Sequence, residues 1–328
     1  MPAFSHSDYT VGWISALSEE NAAAQAVLDK FHDGLTQPAH DSNSYTLGEI
    51  SGHNVVIASL PMGVYGTSSA ATVVAQMILT YPAIRFGLMV GIGGGAPSKK
   101  TDVRLGDVVV SSPSGTLSGV VHYDYGKVIS GGSFERTGSL NKPPSSLLTA
   151  IGRMKGNHIL GKTQIPSHLA AMVERYPTLT EYTHQGLEED QLFQGEYDHN
   201  GSDTCESCDK SRLVPRKERP STNPYIHYGP IASADKVMKH GITRDRLARE
   251  LGIICFEMEA AGLMDHFPCL VIRGICDYSD SHKNKRWQPY AAAVAAAYAK
   301  ELLSLIPVSR VEEAPAARDV VSKAGESL

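Results

Sequence analysis

The first 110 residues alternate short, almost uninterrupted apolar runs with segments of helical period, and that alternation confines the chain to a layered α/β architecture. Tyr9–Leu17, Val55–Pro61, Phe86–Ile92 and Asp107–Ser112 are rich in β-branched residues and bounded by Gly, Pro or Asp. They read as buried strands. Glu19–Phe31 and Thr67–Leu79 lie between them, the second with Ala70, Val73, Val74, Met77 and Ile78 at helical spacing. The pattern resumes near the end, with a helix expected over Ile253–His266, a strand over Cys269–Asp277 and a long helix over Trp287–Leu305 that Pro307 stops. Strands interleaved with helices imply a central sheet covered on both faces, a three-layer α/β/α fold.

The chain has 328 residues, enough to bury roughly three quarters of its unfolded surface without disulfides or metal. Residues 155–224 break the pattern: they are polar, with scattered Pro, His, Asp and Glu, and are periodic only over Ser167–Tyr176. The expectation is one domain over 1–308 with an insertion at about 155–224, serving as a lid or a contact between subunits. Residues 309–328 are polar and aperiodic, and read as a disordered tail.

Thirty Lys and Arg against 35 Asp and Glu give a net charge of −5, which argues against a nucleic-acid-binding surface. The most basic stretch, Lys210–Arg219, is broken by Pro215 and Glu218 and is expected to be a solvated loop. No apolar run reaches the ~18–20 residues that span a bilayer, so no membrane partner is expected. Met1–Asp8 lacks the basic start and apolar stretch of a secretory signal. The cysteines at 205, 208, 255, 269 and 276 are odd in number, and three lie in apolar segments. A reduced, cytoplasmic protein is the expectation.

Four glycines in Gly91-Ile92-Gly93-Gly94-Gly95 follow a strand, at the sheet edge where open α/β folds bind ligands. A bare glycine turn is the alternative. No Gly-Lys-Ser/Thr follows, and Ala96–Lys100 does not start a helix, so neither a P-loop nor a dinucleotide fingerprint is present. Leu60–Gly66 is a second glycine-bearing strand end, opening a helix whose N-terminus could face an anion or a hydroxyl. Glu19 and Glu20 suit a helix start whatever else they do. In Cys255–Gly262, Glu257 and Glu259 flank Met258 beside Phe256, so one of them should point inward and need a partner. Asp277 ends an apolar strand, where a carboxyl is placed either for general-acid work or to cap the next turn. Cys205-x2-Cys208 with His199 upstream has zinc-like spacing, but a second ligand pair is missing and His184 would have to serve. A structural metal and a redox pair remain alternatives to ordinary loop cysteines, and no metal is assigned.

Taken in order, Ala16–Glu20, Met62-Gly63…Gly66, Gly91–Gly95, Leu105–Val109, Ile231–Asp235, Phe256–Ala261 and Arg273–Asp277 resemble the nucleoside phosphorylase/nucleosidase superfamily. The likeness is greatest to the methylthioadenosine/adenosylhomocysteine nucleosidase branch and to fungal nucleoside-phosphorylase-like proteins. It covers roughly residues 8–125 and 225–306 and implies a twisted, mixed central sheet. Glu20 would then activate the attacking water, Met258 and Glu259 would hold the ribose, and Asp277 would protonate purine N7. Met62, Gly63, Ile92, Gly93, Gly94, Ile231, Ser233 and Glu257 are the other substrate-binding positions it implies. Where phosphorylases of this kind carry arginines and a Ser or Thr for phosphate, this chain has Glu20, Met89 and Ile92. The Ser of the nucleosidases is likewise replaced by Ile92.

The resulting expectation is a purine nucleosidase releasing free base and ribose, with purine nucleoside and water as partners, no cofactor, and assembly into a homo-oligomer. A phosphate-dependent phosphorylase and a non-catalytic nucleoside-sensing or interaction module are the alternatives.

Overall fold

A computed structural model describes residues 4–199 and 204–320. The first third of the chain forms β1 (Val11–Ser15), α1 (Ser18–Ala26), β2 (Lys30–Phe31), β3 (Tyr45–Ile50), β4 (His53–Ser59), α2 (Thr67–Thr80), β5 (Phe86–Gly95) and β6 (Val108–Ser111). Then come β7 (Val120–His122), a hairpin of β8 (Gly126–Val128) and β9 (Phe134–Arg136), α3 (Ser145–Ile159) and α4 (Ile165–Arg175). The last third supplies β10 (Ile226–Gly229), β11 (Ile231–Ser233), α5 (Gly241–Leu251), β12 (Cys255–Glu257), β13 (Cys269–Asp277), α6 (Gln288–Ser304) and α7 (Val308–Glu312).

The four apolar runs at the start become β1, β4, β5 and β6, and the last one becomes β13. The main sheet runs β10-β6-β13-β5-β1-β4-β3-β2, with β7, β11 and β12 branching from its middle. β1, β4, β5 and β13 are mutually parallel neighbours, whereas β6 runs antiparallel to β13 and β3 antiparallel to β4. The sheet is therefore mixed and flanked by helices, as the fold class expected. β3, absent from the sequence reading, pairs with β4 across a two-residue turn in which Ser51 and Gly52 both have positive φ.

α6 is the central helix. Fourteen of its seventeen residues are buried, so its apolar surface runs all round instead of along one stripe. Its Ala291–Ala299 run lets β13 approach closely, and a Cβ on Gly274 would overlap the Ala291 carbonyl oxygen. No single helix among the described residues is long and apolar enough to cross a membrane.

Several expectations are corrected. Ile253–His266 is no helix: β12 is inserted there, followed by a turn of 3-10 helix at Ala260–Gly262. The short, mixed segment has helical spacing, but pairing with β5 and β11 overrides it. Gly91–Gly95 is part of β5 and not a turn after it. Of the proposed tail, Val311, Ala316 and Ala317 are buried, and the Ala317 N–H donates to the Ile84 carbonyl. Residues 321–328 lie outside the described residues, as do 1–3 of the N-terminal segment.

The expected insertion starts inside α3, and α3 and α4 both pack against α6. Glu301, on α6, receives hydrogen bonds from His158 (2.9 Å), Thr163 Oγ1 (3.2 Å) and the Gln164 N–H (3.0 Å). Burial alone would raise its carboxyl, but these donors hold it below the usual range. The basic stretch is not solvated either. Arg219 forks onto Asp107 at 2.5 and 2.8 Å, and Arg216 pairs with Asp190 at 2.9 Å, with only 9% and 12% of their side chains exposed. Arg216 also donates to the Tyr278 hydroxyl, which itself donates to Asp190. The second half of the insertion is thus a strap tied to the residue after Asp277.

Gly274→Ala is expected to lose ~3 kcal/mol of stability through overpacking between β13 and α6. A lowered denaturant midpoint with an unchanged slope is the signature to look for.

Candidate active site

β5 is longer than its neighbours on one side, and the difference makes a gap. β1 pairs with Phe86–Met89, whereas β12 pairs with Gly94 and Gly95 on the same edge. Between them the edge of β5 is open, and the Ile92 N–H has no strand to bond. The Glu20 carboxylate takes its place: Oε1 accepts from Ile92 N at 2.7 Å. Its other oxygen accepts from Ala16 N (2.5 Å) and Leu17 N (3.0 Å), closing the first turn of α1. Glu20 is therefore both the helix-start charge and a wall of the gap.

Arg273, which the sequence shows only as the first residue of a motif and to which it assigns no role, is the centre of the cluster. It leaves β13 opposite Gly91 and crosses β5 on the Gly91–Gly93 face. A Cβ on Gly91 would meet Glu20 Oε1 and Arg273 Nη1, so glycine there makes room for the protein's own side chains. Arg273 Nη2 donates to Glu257 Oε2 at 2.5 Å and lies 3.4 Å from Glu259 Oε2. Its Nη1 is 4.0 Å from Glu20 Oε1. Both Glu257 and Glu259 point inward, where the sequence pattern asked for one. Glu257 also accepts from the Glu259 and Ala260 N–H groups.

Three buried carboxylates around one guanidinium cannot all be charged without leaving excess negative charge out of water. Burial pushes Glu259 up to about 8, with Glu257 and Glu20 adding to the rise and Arg273 opposing it. Burial also raises Glu20, against Arg273 and its three backbone donors. Near neutrality Glu259 then holds a proton and can both donate to and accept from a hydroxyl.

A cavity of about 200 Å3 opens beside this cluster. Glu20, Ile92, Gly93, Gly94, Glu257, Met258 and Glu259 line it, with Tyr65, Phe256 and Lys283. Asp277 does not reach its surface. Asp277 Oδ2 pairs with Lys283 Nζ at 2.9 Å and Oδ1 accepts from Ser279 N at 2.8 Å, so the cavity meets the ammonium first. Burial lowers the Lys283 pKa, but the Asp277 carboxylate more than offsets this and holds it above its usual value.

The remaining expected positions stand elsewhere. Met62 is 94% exposed and Gly63 sits with positive φ in the same outer turn, where Tyr65 is the residue that reaches the cavity. Ile231 is buried between β7 and β12, and Ser233 Oγ accepts from Ala261 N, bracing the segment behind Glu259. The α2 N-terminus, expected to face a ligand, is capped by Asp235 through Thr67 N (2.7 Å). Lys283 carried no signal of its own, and only the fold brings it back onto Asp277.

Because the folded pKa of Glu259 is raised, its contribution to stability is fully present below the unfolded carboxyl range and is lost as pH rises through about 8. Glu259→Gln keeps the shape and removes the titration. It is expected to be more stable than the parent at pH 9, on the order of a few kcal/mol, with the difference shrinking towards pH 5. Thermal melts of both proteins across that range measure it.

The family profile that matches this chain is described as the phosphorylase superfamily and covers residues 10–306. A nucleotide-binding leucine-rich repeat (NLR)-like protein of Hyaloscypha variabilis is 51% identical over 308 residues, 93% of this chain but only 30% of that protein. The chain thus spans less than a third of that relative. A 5'-methylthioadenosine/S-adenosylhomocysteine nucleosidase of Mycobacterium bovis is 26% identical over 91% of this chain and 97% of its own length. Among solved structures, the Neisseria meningitidis enzyme of the same name in complex with methylthio-immucillin-A aligns at TM-score 0.57 and 16% identity, over 90% of this chain and 99% of that one. Futalosine hydrolase of Helicobacter pylori aligns at TM-score 0.56 and 16% identity, over 91% and 99%. With the profile covering nearly the whole described fold, the chain belongs to the phosphorylase superfamily.

Proposed function

We propose that the protein is a purine nucleosidase that hydrolyses the N-glycosidic bond of a purine ribonucleoside. The observation that carries this reading is the composition of the cavity wall: three carboxylates share one arginine, and the arginine is already engaged. Cleavage of a nucleoside develops positive charge on the ribose, which a net negative, preorganised cluster stabilises. The same cluster would repel a phosphate dianion, and Met89 is buried away from it in β5. Water is the nucleophile such a wall admits.

In this mechanism Glu259, holding a proton, engages the ribose hydroxyls beside Met258. Glu20 in its ionised form takes the proton of the attacking water, its other oxygen being fixed by the start of α1. The leaving purine accepts its proton at the Asp277–Lys283 end of the cavity. Since Lys283 faces the cavity, the ammonium makes the contact with the base and gives it the proton, while the Asp277 carboxylate holds the ammonium in place. The proton that Glu20 takes from water balances the one Lys283 loses, the two being exchanged through solvent after products leave. The nucleosidases at 26% identity and the likeness in fold support the reaction class. The NLR-like relative, more than three times as long, favours one second reading, a nucleoside-sensing module within a larger protein.

The test is incubation with adenosine, inosine, guanosine, methylthioadenosine and uridine, with and without phosphate. Free purine and ribose are expected in phosphate-free buffer, and nothing from uridine. Strict phosphate dependence would make it a phosphorylase, and tight purine nucleoside binding without turnover would make it a sensor. Glu20→Gln is expected to lower kcat by ~10²–10⁴, and Asp277→Asn to abolish purine release. Near-normal turnover by either variant removes the role given to that residue.

A further inference from the structure

Between the bridged residues Phe193 and Leu213 of the strap, His199, Cys205 and Cys208 stand together. One candidate ligand atom from each lies within 4.8 Å of the other two, and they form the single such group among the described residues. A tetrahedral zinc with bonds of ~2.0–2.3 Å holds its ligands about 3.5 Å apart, so small side-chain rotations suffice to close the set. Both thiols are free. His184, the histidine that the spacing suggested as a fourth ligand, is elsewhere, its ring edge-on to Trp287 and Tyr290.

A different histidine stands beside the group. His282, just beyond β13, is only 5% exposed at its side chain, yet neither ring nitrogen has a hydrogen-bond partner. Its ring centroid is 5.5 Å from that of His199, at nearly a right angle, and Cys205 Sγ faces its backbone carbonyl at 3.8 Å. Asp280 Oδ1 lies 3.5 Å from His282 Nδ1, at ion-pair distance. That carboxylate is placed to orient the imidazole so that Nε2 is free to ligate, an arrangement common behind metal-bound histidines.

We propose that His199, Cys205 and Cys208 bind one zinc ion, with His282 as the fourth ligand. Two thiolates and two imidazoles form a set that suits zinc and not magnesium or calcium. Four protein ligands leave no open position, so the site is structural. The ion clamps the strap to the segment after Asp277, where His199 N already donates to Ser281 Oγ at 2.8 Å. Lys283, which pairs with Asp277, follows His282 directly.

The experiment is elemental analysis of the full chain purified without chelators, together with the spectrum of the cobalt-substituted protein. One equivalent of zinc per chain is expected, with thiolate-to-cobalt charge transfer and tetrahedral visible bands. Cys205→Ser/Cys208→Ser should lose both the zinc and the charge-transfer band. His282→Gln should keep the band but yield zinc faster to a chromogenic chelator. A parent protein that neither carries nor takes up one equivalent overturns the proposal, whatever the variants do. So does a Cys205–Cys208 disulfide found by thiol counting, or full zinc content in the double serine variant. A His282→Gln protein with the parent's release rate and spectrum removes His282 from the set.

Discussion

The guanidinium of Arg273, buried among Glu20, Glu257 and Glu259, is the interaction on which the functional half of the molecule depends. Each carboxylate comes from a different local context: the first turn of a helix, the end of a three-residue strand, and, two residues on, the N-cap of a 3-10 turn. None of the three could stay buried without a shared counter-charge, since removing water from an unpaired carboxylate costs far more than a fold of this size can supply. Arg273 provides the counter-charge from inside the sheet, and being always protonated it does so at any working pH. The arrangement is also unbalanced by design of the sequence: one cation for three acids leaves a proton on Glu259 and a negative field in the cavity.

The second constraint is the gap in the sheet. β5 is paired by β1 at one end and by β12 at the other, and between them the backbone is satisfied by Glu20 in place of a strand. An open sheet edge in the middle of a fold is a place where backbone groups must find side-chain partners. Here that necessity delivers a carboxylate to the cavity. Glycine at Gly91 then allows Arg273 and Glu20 to meet over the strand, which a Cβ would prevent.

A third feature ties the far end together. Asp107, just before β6, gathers Arg219, His227 and the Tyr225 N–H, while Asp190 and Arg216 of the strap pair with each other and both bond to the Tyr278 hydroxyl. The strap is so fastened to β6 by a buried ion pair and to the end of β13 by hydrogen bonds. Burial raises the cost of the charges, and their bidentate geometry compensates it. The strap is thereby part of the fold and sets where Tyr278 to Lys283 can lie, which in turn decides that Lys283 covers Asp277.

Much of this was legible in the residues. Continuous apolar runs marked β1, β4, β5, β6 and β13, because a strand buried on both faces needs no alternation. The order of motifs marked the family, and it drew attention to Glu20, Glu257, Met258 and Glu259, all of which line one cavity. What stayed hidden has physical causes. β12 is too short to show a period, and its neighbours fix it as a strand. Arg273 sits in the middle of an apolar strand, where a lone charge gives no hint of its partners. Arg216 and Arg219 look like surface charges until their acids, more than twenty residues away, are brought to them. Sequence by itself determined the layered fold, the family and the acids of the cavity, because these rest on local periodicity and on residue type. Only the tertiary structure decided the pairings, Arg273 with three carboxylates, Lys283 with Asp277 and His282 with the Cys205–Cys208 loop, because the free energy of a buried charge or ligand depends on which distant group the fold sets against it.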